Sequence, residues 1–171
     1  MAALSYDNMD ETCALYVRSP RGRYKLASDE QILAAGRMAA ESLVSTSSPV
    51  DQPTKVKQFF QAKLAGLGHE CAAFLYLDSR FKPIRYIEHG SGTLNQASVY
   101  PREIVKTALR LNAAALIMAH NHPSGSTEPS VADLNLTRHL KNALALIDVR
   151  LLDHVIVTAA STTSLAERGQ V

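Results

Sequence analysis

Cysteine is scarce in this chain. Its two cysteines, Cys13 and Cys71, stand far apart and form no C-x-x-C pair, which excludes a disulfide-stapled scaffold and suits a reducing compartment. A dominant charge is missing too. Eighteen basic residues against sixteen acidic ones leave a net charge of +2, too little to argue for a nucleic-acid partner on electrostatics alone. No stretch approaches the roughly 20 apolar residues of a membrane span. The opening MAALSYDNMDETC has acids and no apolar run, unlike a signal peptide. There is no internal repeat. These absences leave a soluble cytoplasmic protein, with no membrane partner, as the expectation. The 171 residues are 46% apolar and 20% charged, enough for one domain with a buried core and a small appendage.

The chain divides at STSSPVDQPT, residues 45–54, a linker rich in Ser and Thr with two prolines. Ahead of it, CALYV and YKLAS flank Pro20 and Gly22 as a hairpin. A helix then starts at Ser28 and Gln31, a capping box, with Ile32, Ala35, Ala39 and Leu43 at helical spacing. That apolar stripe needs cover, from the second part or from another copy of the chain in a homodimer. The division is therefore an extension over 1–48 and a main domain over 49–171.

In the main domain, Val56, Phe59, Phe60 and Leu64 mark a helix that Gly66 or Gly68 ends. Residues 70–78 and 84–90 are expected as strands around the turn SRFKP. SGTLNQASVY is a polar loop, and Pro101 opens the next helix. The apolar run 113–120 is expected as a central strand, 131–147 as a helix and 149–158 as a strand. This order predicts a three-layer α/β fold with a mixed central sheet.

One constellation carries chemistry. His120 and His122 end the central strand, where positions i and i+2 point to one side, so their imidazoles can share an ion while Asn121 turns away. Seven residues intervene before Ser130, and Asp133 follows three later. Ser130 and Asp133 then lie on one face of a helix's first turn. The Gly and Pro of PSGSTEP let the chain fold back, so His120, His122 and Asp133 converge. Three protein ligands with a fourth position open is the pattern of a catalytic zinc. Taken singly, Ser130 is an ordinary N-cap and Asp133 its N3 partner. The combination is much rarer than its parts.

The pattern H-x-H-x7-S-x-x-D over 120–133 resembles the JAMM motif of the JAB/MPN metalloproteases, without departure. GTLNQASVYPREIVKTAL, AHNHPSGSTEPSVAD and RLLDHVIV are similar to the bacterial RadC-like branch, and the resemblance spans roughly 49–171. It implies an MPN fold, one zinc per chain, and hydrolysis of a peptide or isopeptide bond in a peptide or protein substrate. The letters H-N-H are incidental. The family places a general-base glutamate on an early strand, in a pattern that Glu70, Ala73 and Leu75 of ECAAFL fit. Glu88 and Glu103 are the rival bases. The resemblance gives Ser130 a second task beside capping, stabilising the oxyanion. Ser124 and Asn95 are turn formers that can also line the cleft, and His154 is structural or supports the ligands from behind. The alternative function is a RadC-like module of DNA repair or DNA metabolism without catalysis. Full-length relatives carry a helix–hairpin–helix domain, and residues 1–48 show no such pair of helices. A catalytically dead scaffold is the third reading, weakened because every motif residue is present.

Overall fold

Residues 14–44, 48–91 and 99–171 are described in the structure, a computed structural model of the chain. Cys13, Asn95 and part of the 45–54 linker lie outside them. A hairpin comes first, β1 (Tyr16–Arg18) against β2 (Tyr24–Leu26). Gly22 sits between them at a left-handed φ of 79°, which costs glycine least. In α1 (Asp29–Ala40), Ser28 Oγ accepts from the Gln31 amide and Gln31 Oε1 from the Ser28 amide, the expected capping box. A 3-10 turn, Glu41–Leu43, extends it.

Helix α2 (Pro53–Leu64) opens on Pro53 in a first-turn position, where a missing N–H costs nothing. Its buried residues are Val56, Phe59, Phe60 and Leu64, the stripe read from the sequence. The strands β3 (Cys71–Leu77) and β4 (Pro83–Ser91) pair antiparallel. Asp78 Oδ1 clasps their turn by accepting from the Arg80 and Lys82 amides, both at 2.8 Å.

Next come α3 (Pro101–Arg110) and β5 (Ala115–Asn121). The expected strand start at 113 is corrected by two residues. Asn112 adopts a left-handed φ of 50°, and the Ala113 amide donates back to Ala108, so both belong to the turn leaving α3. Helix α4 (Val131–Ala145) also stops short of the expected end. Asp148 turns left-handed at φ 56° to enter β6 (Arg150–Val157). A last strand, β7 (Thr162–Ser164), was not expected. Three polar residues carry no strand period. They become a strand because the edge of β6 has ladder groups to satisfy, with Val155 opposite Ser164 and Val157 opposite Thr162.

The sheet order is β4-β3-β5-β6-β7. β5 and β6 run parallel, and the other neighbours run antiparallel. Two apolar layers sandwich it, which makes the three-layer α/β fold with a mixed sheet. On one face α2 covers Ala73, Leu75, Ile117, Ala119 and Val155. On the other, residues of α3 and α4 cover Ala72, Phe74, Leu116 and Met118. β3 and β5 are therefore buried at every position, which is why they read as continuous apolar runs. Among the described residues no helix is long and apolar enough to cross a membrane.

Phe60 is fully buried between α2 and the sheet. Replacing it by alanine is expected to cost about 3–5 kcal/mol in urea unfolding. Leu109→Ala, at an exposed position of α3, is expected to stay within about 0.5 kcal/mol.

Candidate metal centre

The C-terminal end of β5 lies beside its parallel neighbour β6 and faces the start of α4. His120 is 4% exposed there, on the α4 side of the sheet. His122 follows the strand, and its amide extends the ladder by donating to Val157 at 2.8 Å. The two rings meet with Nε2 atoms 2.8 Å apart. Asp133, in the first turn of α4, brings Oδ1 to 3.2 Å from His120 Nε2 and Oδ2 to 3.6 Å from His122 Nε2. One ligand atom from each of the three residues lies within 4.8 Å of the others.

The capping box of α4 orients the carboxylate. The Ser130 amide and hydroxyl both donate to Asp133 Oδ2, at 2.8 and 2.6 Å, and Ser130 Oγ accepts from the Asp133 amide. Oδ2 is thus held by Ser130, and Oδ1 faces His120. Burial alone pushes the Asp133 carboxyl up, but hydrogen bonds from His120 and His122 outweigh it and hold the group well below the usual carboxylate range. The Asp133 bond is the largest influence on His122 and raises it above the ordinary histidine value. Burial opposes this rise, while the Ser126 carbonyl and the charge of Glu70 add to it.

The donor set fits a divalent cation. His122 Nδ1 lies 2.7 Å from the Ser126 carbonyl, which can only accept, so Nδ1 carries the proton and the Nε2 of the neutral ring is bare. The Nε2 lone pair of neutral His122 then faces His120 Nε2 and Asp133. A proton on an imidazole or a cation can bridge these atoms, and two imidazole nitrogens with one carboxylate oxygen suit a divalent metal such as zinc.

The sheet register brings Glu70 to the same place. Ala72 lies opposite His120, and Glu70, half-buried just ahead of β3, is near enough for its charge to raise His122. The rivals go elsewhere. Glu88 pairs with Ala73, which belongs to the α2 side of the sheet. There it is exposed and accepts from the Tyr86 hydroxyl at 2.9 Å. Glu103 is exposed in the first turn of α3. Ser124 is exposed in the return loop, and Asn95 is outside the described residues.

Comparison with known proteins agrees with this architecture. A family model described as the RadC-like JAB domain matches residues 50–170. The chain belongs to the RadC-like JAB family. A UPF0758 protein of Methylibium petroleiphilum is 51% identical over 150 residues, 88% of this chain and 66% of the relative. One from Bordetella petrii is 48% identical over 86% of this chain and 66% of its own length. One from Vibrio cholerae is 44% identical over 88% of this chain and 96% of its own length. The chain thus spans about two thirds of the length of the first two.

Around this RadC-like JAB centre stand Asn121, expected to turn away from the histidines, His154, expected as structural or as support for the ligands, and Thr137, which the sequence did not single out. Asn121, between the two histidines, turns to the other side and is 3% exposed. Its Oδ1 accepts from the Cys71 amide at 2.8 Å, and its Nδ2 donates to the His69 carbonyl at 2.9 Å and the Leu67 carbonyl at 3.4 Å. One side chain thus ties down the segment that carries Glu70. Thr137, one turn after Asp133, contacts the buried His154, which in turn contacts His120. Burial, the largest influence, holds His154 well below the usual histidine value, so it is neutral. Burial likewise pushes the Cys71 thiol up to about 11, with Glu88 adding to it, so Cys71 stays protonated and is no nucleophile. A groove of about 650 Å³, lined by Phe59, Lys63 and Tyr86 among others, lies on the opposite face.

Asn121→Ala is expected to remove about 1–3 kcal/mol of stability by leaving buried backbone groups unpaired. Amide hydrogen exchange checks it locally. The Cys71 amide should exchange faster while the amides of α4 keep their protection.

Proposed function

We propose that the chain is a zinc-dependent metallohydrolase of the JAMM type that cleaves a peptide or isopeptide bond in a peptide or protein substrate. The observation that carries this reading is the convergence of His120 Nε2, His122 Nε2 and the Asp133 carboxylate, with a half-buried glutamate nearby. His120, His122 and Asp133 would hold one zinc per chain. A zinc ion there would lower the pKa of a water to about 7 and polarise a scissile carbonyl.

Glu70 then acts as general base. It takes the proton of the attacking water and delivers it to the leaving amine, so one carboxylate serves both half-steps. Its place beside His122 supports this, and the Asn121 clamp keeps it there. Asp133 keeps its charge across the working pH range, because its carboxyl lies well below the usual value. Ser130 adds a hydroxyl next to the cluster. That proton points at Asp133 Oδ2, and stabilising an oxyanion requires the hydroxyl to rotate away from it. Such a donor is worth about 10²–10³ in rate.

Elemental analysis of the purified chain is expected to give one zinc, lost in His122→Ala and in Asp133→Ala. Full retention in both variants would refute the ligand set. Glu70→Gln should keep the metal and lower hydrolysis of a peptide and isopeptide library by roughly 10²–10⁴. A fully active Glu70→Gln would remove Glu70 from the mechanism.

Zinc and protons compete for the same nitrogen of His122. Since that group lies above the ordinary value of 6.5, zinc affinity should begin to fall at a pH above 6.5 and keep falling as pH decreases. Chelator competition at about pH 6 and about pH 8 reads the sign. Equal affinity at both would contradict the assignment of His122 as ligand.

A further inference from the structure

His154 takes no part in the ligand set, yet it is 0% exposed and stands between a ligand and a hydroxyl. Thr137, 1% exposed on α4, completes the line. Three contacts join them. Thr137 Oγ1 lies 2.7 Å from the main-chain carbonyl of Asp133 and 2.6 Å from His154 Nδ1. His154 Nε2 lies 2.7 Å from His120 Nδ1. A helix, a strand and the neighbouring strand each supply one member.

Counting protons along this line leaves one arrangement that satisfies every contact. The Asp133 carbonyl can only accept, so the single hydroxyl proton of Thr137 goes to it. Thr137 Oγ1 must then accept from His154, which puts the His154 proton on Nδ1. A neutral imidazole carries one N–H, so His154 Nε2 is an acceptor and takes the proton of His120 Nδ1. His120 is left bare at Nε2, the atom that faces Asp133 and His122. Run in the opposite direction, the line would put a proton on His120 Nε2 and close the ligand set. The hydroxyl at position 137 sets that direction. His122 has its own anchor, the Ser126 carbonyl.

We infer that Thr137 and His154 are positioning residues: a one-way hydrogen-bond relay, starting at the Asp133 carbonyl, holds His120 in the tautomer that can bind metal. The inference rests on the metal reading above. It concerns how the chain prepares that site and assigns the pair no contact with substrate. The relay begins and ends on ligand residues, so it also fixes the start of α4 against β5.

Two readouts on the full-length chain test it. The first is ¹⁵N NMR of histidine-labelled, zinc-free protein, which reports the tautomer of His120. The second is chelator competition with zinc alone. Wild type should show His120 protonated at Nδ1. Thr137→Val keeps the shape and removes the hydroxyl. It should populate the Nε2-protonated form and weaken zinc binding by about 10–100-fold, the usual effect of losing such a partner. Thr137→Ser should restore both readouts, which a purely packing role for the threonine would not predict. A folded Thr137→Val with wild-type tautomer and zinc affinity within about twofold of wild type would overturn the relay. So would a wild-type His120 protonated at Nε2, a measurement that needs no variant to fold. If wild type takes up no zinc, the metal reading fails. The relay is then decided by the NMR readout, supported by a Thr137-dependent tautomer and refuted by an unchanged one.

Discussion

At the end of β5 a two-residue period sends His120 and His122 to one side of the sheet and Asn121 to the other. Both consequences converge on one spot. The histidines meet Asp133 of α4, and Asn121 reaches the segment before β3 and ties down the backbone around Glu70. A slip of one residue in β5 would exchange the two sides and leave neither arrangement. Apolar cover on both faces of β3 and β5 secures the register through packing, since a slip would exchange small and large side chains such as Ala73 and Phe74 between the two layers. The chemistry at the strand end therefore depends on packing along its length.

Burial near the site makes hydrogen-bond accounting strict. Every buried side-chain nitrogen and oxygen among the described residues has a neighbour at bonding distance. In a low-dielectric setting an unpaired group is costly, so each partner constrains the next. His122 is oriented by a carbonyl of its own return loop, Asp133 by the cap of its own helix, and His120 through His154 by a threonine on α4. The two Nε2 atoms sit 2.8 Å apart with the Asp133 carboxylate beside them, so three ligand-capable groups share one place.

The C-terminal segment braces the same region from outside. Asp153 accepts from the Ser164 hydroxyl at 2.6 Å and from the Ala166 amide at 2.9 Å, which holds the turn after β7. Arg168 reaches Glu128 in the return loop with two contacts at 2.8 and 2.9 Å. The pair is exposed, so it contributes little to stability. It does tie the loop between His122 and Ser130 to the end of the chain.

The ligand types, their spacing and the capping box were legible in the sequence, because each is a local pattern: alternation at a strand end, a return loop, and the first turn of a helix. The layered fold was legible too, because apolar runs and the stripe of Val56, Phe59, Phe60 and Leu64 follow from burial. Sequence alone left Glu70, Glu88 and Glu103 as competing bases. The pairing of β3 with β4 places Glu88 on the α2 side of the sheet, away from the histidines, since strand parity becomes a side of the sheet only once register is known. The role of β7 also waited for tertiary structure, because three polar residues become a strand only beside an open edge. Thr137 looked like one more residue of a helix, and His154 was expected only as structural or as support behind the ligands. Their meeting is a contact between distant segments, and the direction of its protons depends on a carbonyl that no side-chain pattern encodes.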